Sequence, residues 1–438
     1  MILKILKDYT WSNSLKEDGR MNTKSFIRER VLTFPILLIF LMNMAKKSLQ
    51  VSLKCFFCML DLPSVTKQAF SKARKNLSPK AFILLNKKLL EEYYTDNEIS
   101  TWKGFRLIAV DGSDLQLPQK EAIKLKFGCA KNQKGSTLAM GKLSCAYDVL
   151  NCKTLDAQID RCNSSERDLA VLHIEAIEQL QHDKTKDLYI FDRGYPSLGL
   201  LFYLINKNKD FIMRASFTSC FAAIKREIEK GEKDFIIRLY ANQITHQQAV
   251  ELKKRLPFLD KKGAYIDVRV TIVVLNNGEK ELLISSLIDK QKYSAVELRD
   301  LYGLRWCKEE NYKWYKLGME LENFSGHSEI AIKQELWALV FTANVTSLIM
   351  EEAQEEIQQE HSSKNLKYEY KINKRIAIGL LKDNLIMALF DHSQDLSSFC
   401  TSLRQEFKKN LCPIRNDRQF KRLKKNKRKY GCTLRRCV

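Results

Sequence analysis

The sequence predicts an α/β protein: a mixed sheet with flanking helices, preceded by a helical N-terminal domain and interrupted by a strand-rich insertion. Three observations carry this. Between residues 101 and 219, short apolar runs and helix-period segments follow one another as three strands, helix, strand, helix, strand. Residues 22–94 keep apolar residues at helical spacing. Residues 220–292 are rich in strand-forming runs, and helical spacing returns from Ser294.

The elements follow in order. Val31 to Met42 is the most apolar run, too short to span a bilayer, which takes about 20 residues, so it reads as a buried helix. Pro63 and Pro79 break the helical region, and Thr66 to Lys75 reads either as a DNA-groove recognition helix or as an amphipathic helix with lysines in water. Arg106–Val110 is an apolar strand that stops at an Asp111-Gly112 turn. Leu138–Val149 and Lys153–Ile159 are two more strands, and Ser164 to Asp168 opens a capped helix with helical periodicity from Leu169 to Leu180. Asp187–Phe191 is a buried strand ending at Asp192-Arg193-Gly194-Tyr195, followed by a helix to Asn206 and a strand from Phe211 to Ala215. The insertion carries strands at Phe235–Tyr240, Tyr265–Leu275 and Glu281–Ile288, with Asn276-Asn277-Gly278 as a hairpin turn. The expected division is 1–100, 101–219, 220–292, 293–350 and 351–438, with 101–219 and 293–350 forming one core and 220–292 a separate lobe.

The net charge is +22 over 438 residues, and it is unevenly placed. Residues 45–90 carry +9 and residues 404–438 carry +12, while 91–403 carry −2. Two cationic ends around a near-neutral middle fit a polyanion-binding protein, or basic solubilising ends. The 12 cysteines are scattered; Cys55 and Cys58 form a C-x-x-C with no partner pair, so they are expected to be core thiols of a protein in a reducing cytosol. The N-terminus lacks the pattern of a secretory signal.

The chemistry concentrates near residue 300. On one ideal helix, Tyr302, Arg305, Glu309 and Lys316 would share a face. A carboxylate flanked by two cations suits a metal ligand beside nucleic-acid phosphates; the plainer reading is a solvated face with an Arg305–Glu309 i,i+4 pair. Asp111 and Asp192 shift the balance. Each follows a short apolar strand, and neighbouring strands would bring both to one sheet edge, where Glu309 completes three carboxylates able to hold two divalent cations. The six histidines are dispersed and suggest no alternative ligand set.

Here the sequence resembles the bacterial DDE transposases of the insertion-sequence type-four family. The first Asp stands in IAVDGSDLQLP, the second in YIFDRGYPS, and Tyr302, Arg305, Glu309 and Lys316 match the family's Y-x2-R-x3-E-x6-K signature without gaps. The flanking YGLRWCKEENYKWYKLGMELENFSG and the upstream TKQAFSKARKNLSPKAF are also similar, and the resemblance runs from about residue 22 to residue 350. It implies a ribonuclease-H-like catalytic fold and Mg²⁺-dependent cut-and-paste transposition, with two ions held by Asp111, Asp192 and Glu309 and Mn²⁺ as a substitute. It assigns DNA-phosphate contacts to Tyr302, Arg305 and Lys316. The partners it implies are double-stranded DNA, as terminal inverted repeats and target, and a second copy of the chain on paired ends, in a bacterial cytoplasm at the nucleoid and away from membranes. Two departures stand out. Lys308 occupies a commonly apolar position, and residues 220–292 contain no Trp on which a flipped base would stack, Tyr240 and Tyr265 being expected to pack in the sheet. A metal-dependent nuclease of similar fold and a catalytically silent transposase-derived DNA-binding protein are the alternative readings.

The charge division yields a test. Lys421 to Lys429 contacts phosphates without reading bases, so deleting 415–438 should lower the salt slope of DNA binding and spare any preference for the inverted repeat. The preference is expected to reside in residues 1–94. Binding at several salt concentrations, on cognate and scrambled ends, decides: a deletion that loses preference and keeps its slope reverses the assignment.

Overall fold

The computed structural model describes residues 1–414 apart from 29, 45–47, 132–134, 136, 181–184, 245–262, 276–277, 363 and 365. The basic stretch from 415 onward lies outside the described residues, as do two of the three residues of the Asn276-Asn277-Gly278 turn.

The chain opens with six helices: α1 (Ile2–Thr10), α2 (Asn13–Gly19), α3 (Phe34–Met42), α4 (Leu49–Met59), α5 (Lys67–Arg74) and α6 (Lys80–Asp96). Local chemistry starts them. Ser12 and Thr66 accept the Leu15 and Ala69 amides, and Pro35 sits in the first turn of α3. As the apolar run required, every residue of α3 except Pro35 is buried. Cys55 and Cys58, expected in the core, are both exposed. They fall on the outer face of α4, because Leu53, Phe56 and Phe57 take the inner one.

The sheet follows: β1 (Phe105–Gln116), α7 (Glu121–Phe127), β2 (Cys129–Lys131), β3 (Thr137–Asp148), β4 (Lys153–Arg161), α8 (Glu166–Glu178), β5 (Lys186–Phe191), α9 (Leu198–Asn206), β6 (Asp210–Ala215), α10 (Ala222–Glu229), β7 (Asp234–Tyr240), β8 (Tyr265–Val274) and β9 (Lys280–Ser285). Its order is β2-β3-β1-β5-β6-β9-β8-β7, with β4 on β3. β3 runs antiparallel to β1, while β1, β5 and β6 are parallel neighbours. Against expectation, β1 does not stop at Asp111-Gly112. Those residues pair with Cys145 and Ser144, and the strand runs on to Gln116. The insertion is also not a separate lobe. β9 pairs antiparallel with β6, and β8 and β7 add beyond it, so the hydrogen-bonding edge of β6 simply continues. Tyr240 and Tyr265 face each other across β7 and β8 with ring centroids 6.2 Å apart, and both are exposed rather than packed.

The C-terminal helices are α11 (Ala295–Gly303), α12 (Trp306–Lys313), α13 (Glu329–Ser362), α14 (Lys374–Phe390) and α15 (Leu396–Lys408), with a two-stranded ribbon β10 (Tyr370–Ile372) and β11 (Leu411–Pro413). One large apolar cluster joins the N-terminal helices, α8, α9, α13 and one sheet face through Ile108, Val110, Tyr189 and Phe191. Alternate residues Leu107, Ala109, Leu188 and Ile190 form a smaller cluster on the other face with Leu298, Leu301 and Tyr302 of α11. Among the described residues no helix is long and apolar enough to cross a membrane.

The N-terminal helices are bolted to the core at Arg74. Its guanidinium donates to Gln334 Oε1 (2.7 Å), Ser325 Oγ (3.0 Å), the Ala331 carbonyl (2.8 Å) and Glu335 Oε1 (3.0 Å), all behind a nearly complete apolar cover. The suggested recognition helix therefore spends Phe70 and Arg74 inward, leaving only Lys67, Lys72 and Lys75 among its cations to the outside. Removing 1–94 would uncover the apolar side of α13 and part of β4, so that deletion cannot isolate DNA preference. Arg74→Ala should cost about 3 kcal/mol, because the buried Glu335 carboxylate loses its counter-charge and keeps the Ser325 and Gly326 amides and the Ser325 hydroxyl. Urea unfolding measures it; a loss below about 1 kcal/mol would show the cluster to be solvated.

Candidate active site

Strand register builds the site. Val110 pairs with Phe191, and Phe191 with Met213. The next residues along three parallel strands are therefore Asp111, Asp192 and Arg214, in a row with strands about 4.8 Å apart. Alternation with Leu107, Ala109, Leu188 and Ile190 turns both aspartates toward the face covered by α11.

Three cations approach these carboxylates, and a fourth, Lys316, lies farther along β1. Arg214 donates to Asp192 Oδ1 through Nη2 (2.8 Å) and Nε (3.1 Å), and to Glu281 Oε1 through Nη1 (2.6 Å). Arg305 places Nη1 4.0 Å from Asp192 Oδ2 and donates from Nη2 to Glu309 Oε1 at 3.0 Å. The Tyr302 hydroxyl donates to Asp192 Oδ1 at 3.2 Å. Lys308 is fully buried, donates to Asn311 Oδ1 (2.8 Å) and lies 3.9 Å from the Tyr312 ring centroid. Lys316 donates to Ser113 Oγ (2.8 Å) and to the Asp114 carbonyl, at the far end of β1.

The structure thus brings Tyr302, Arg305 and Glu309 together at Asp192 and sends Lys316 elsewhere. The single helix face expected from spacing is broken twice. Between Leu301 and Lys308 the backbone tightens into successive i→i+3 bonds, which ends α11 and starts α12. From Trp314 to Gly318 it widens to a π turn, closed by the Met319 amide on the Trp314 carbonyl (3.0 Å). The Arg305–Glu309 pair of the plainer reading is present, but Arg305 is buried at the site rather than solvated, and Lys316 is anchored farther along β1. Arg214 and Glu281 were not anticipated. Only the pairing of β6 with β5 and β9, which no local pattern encodes, reveals them.

The two aspartates sit in different fields. Burial raises the Asp111 carboxyl to about 6, against the Gly112 amide and the charges of Lys308 and Arg305. Burial also pushes Asp192 up, but the Arg193 amide and the Arg305 and Arg214 charges outweigh it and hold that carboxyl below its usual range. Burial lowers the Lys308 and Lys316 ammoniums. A Cβ at 112 would stand 2.6 Å from Glu166 Oε1, so a side chain there would displace the Glu166 carboxylate behind the site.

The donor set is all oxygen and suits a hard divalent cation such as Mg²⁺. Asp111 and Asp192 stand side by side where one could be held, and Glu309 could supply a third oxygen. Among the described residues no three such side chains are already gathered around one point, since Glu309 rests on Arg305.

The raised Asp111 has a sign. Its folded-state affinity for a proton exceeds the unfolded one, so stability falls as pH rises from about 4 to about 6 and stays reduced above. Asp111→Asn removes that penalty. Its stability gain at pH 7 should be roughly 1–3 kcal/mol, each tenfold in proton affinity being worth about 1.4 kcal/mol. Thermal melts at pH 4.5 and 7.5 test this; a variant no more stable than the parent at pH 7.5 would refute it.

One family model matches this region of the chain. The family described as "Transposase DDE domain" matches residues 102–345, which include both aspartates and the whole signature. The transposase InsG for insertion sequence element IS4 of Escherichia coli (strain K12) is 23% identical over 288 residues, covering 65% of this chain. The match spans 61% of that relative's length. A piggyBac transposase synaptic complex with hairpin DNA superposes with a TM-score of 0.47 at 7% identity, covering 93% of this chain and 84% of that one. The family match takes in more than half of the 438 residues, and on that ground the chain belongs to the DDE-domain transposases, of the type found in IS4.

Proposed function

We propose that this protein cuts and joins the ends of a bacterial insertion sequence by Mg²⁺-dependent phosphoryl transfer, in a cut-and-paste reaction on a ribonuclease-H-like core. The observation that carries the reading is the strand register that sets Asp111 beside Asp192, with Glu309 one guanidinium away. The strand order β4-β3-β1-β5-β6, antiparallel on one side of β1 and parallel on the other, supports the fold assignment. Asp111, Asp192 and Glu309 would hold the cations; Mn²⁺ would substitute. Ions held there would supply Lewis-acid chemistry for an in-line displacement at phosphorus, lowering the pKa of an attacking water or 3′-hydroxyl and offsetting charge on the leaving oxygen.

The chain's own residues prepare the site. Tyr302 and Arg214 fix the orientation of Asp192 through three hydrogen bonds. Arg305 neutralises Asp192 and Glu309 in the absence of other cations; released from Glu309, its guanidinium is the nearest fork for a backbone phosphate. Lys316, anchored beside β1, would hold a second phosphate. The substrates are double-stranded DNA with terminal inverted repeats and a target duplex. Two ends cut together need two sites, so the working form is a homodimer on paired ends. The place of action is the bacterial nucleoid.

The test uses the purified full chain, Mg²⁺ and the inverted repeats flanking its own gene, with cut ends mapped and joining to a target scored. The parent protein should cleave and join; Asp192→Ala should abolish cleavage at least 100-fold and keep end binding. Cleavage without joining would favour the nuclease alternative, binding without cleavage the silent one. Near-parental cleavage by Asp192→Ala would refute the site.

A further inference from the structure

Behind the site lies a buried chain of polar side chains that the reaction above does not use. His173 of α8 is completely buried, as is Ser144 of β3, and Asp156 of β4 is 5% exposed. Asp156 Oδ2 lies 2.6 Å from His173 Nδ1, and His173 Nε2 lies 2.9 Å from Ser144 Oγ. Gln158 Nε2 donates to the same Asp156 oxygen at 2.8 Å. Ser144 Oγ in turn donates to the main-chain carbonyl of Asp111 at 3.3 Å.

These are the residue types of a hydrolase triad, but a serine without solvent access attacks nothing. What the chain reaches is the backbone of the first site carboxylate. Ser144 is the register neighbour of Gly112, so it approaches from the α8 face, opposite the Asp111 side chain. From the side of α12, the Tyr312 hydroxyl donates to the same carbonyl. The Asp111 carbonyl is thereby gripped from both faces at the point where β1 leaves β5 and keeps only β3 as a neighbour.

We infer that Asp156, His173 and Ser144 are positioning residues that fix the Asp111 main chain, and so the direction of its carboxylate toward the site. Asp156 orients the ring, the ring holds the serine, and the serine holds the carbonyl. Outer-sphere partners of this kind typically change metal affinity or activity about 10–100-fold when removed. The proposal rests on the transposase reading for its consequence, and on hydrogen bonding alone for its structural claim.

Two variants of the full chain test it, Ser144→Ala and His173→Gln, with Ser144→Ala the milder if the second does not fold. Hydrogen–deuterium exchange is followed in peptides spanning 108–116, with the β5 and β6 peptides of the same molecule as internal reference. Mn²⁺ binding is followed by the spectrum of the free ion. The expected result is exchange in 108–116 several-fold faster while β5 and β6 keep parental rates, and Mn²⁺ affinity about tenfold weaker. Parental exchange in 108–116 for Ser144→Ala overturns the proposal, as does parental Mn²⁺ affinity. If the parent protein itself binds no Mn²⁺, the metal reading falls, and the exchange measurement alone still decides the positioning role.

Discussion

Everything at this site depends on one register: Val110 beside Phe191 beside Met213 across three parallel strands. A slip of one residue would turn the aspartates to the opposite face and bury them against Tyr189 and Phe191. The register is enforced from below. Arg106 and Asp187, partners at the other end of the same ladder, form a buried ion pair at 2.8 Å, and apolar residues on both faces fill the rungs between. A mispaired ladder would leave that arginine and carboxylate apart in the interior, which costs several kcal/mol.

Charge balance is the second constraint. Asp192, Glu281 and Glu309 are each within ion-pair reach of Arg214 or Arg305, and Lys308 adds a buried charge near Asp111. Protein cations thus let a carboxylate-rich pocket fold. The arrangement is asymmetric: Asp192 is clamped and strongly acidic, while Asp111 is weakly compensated and keeps its proton longer. Arg305 is central because it serves Asp192 and Glu309 at once, so whatever replaces it on one affects the other.

Much of this was legible in the sequence. Apolar runs located β3 to β9 closely, and the segment that became α3 announced its burial by composition. Asp192 was readable because it follows the last residue of a strand, and Asp111 because the apolar run that pairs with β5 ends just before it, although β1 itself continues. The misses share a cause: they depend on partners far along the chain. β1 outruns its apolar run because β3 supplies a ladder for Asp111 to Gln116. Arg214 becomes a site residue only through β5, and the insertion joins the sheet only through the free edge of β6. The signature helix broke because 3.6-residue counting cannot anticipate a tightened turn at 304–308 or a widened one at 314–318. Cys55 and Cys58 had apolar neighbours in sequence, yet those neighbours took the only inward face.

The knot at Arg74 has a mechanical consequence. Four donors of one guanidinium tie α5 to the loop and helix that follow the signature residues. If, on the function proposed above, the outer face of α5 took hold of DNA, that seam would tie the grip to the helix behind Asp111 and Asp192, and the molecule would act as a gauge rather than a pair of jaws, its offset set by the fold.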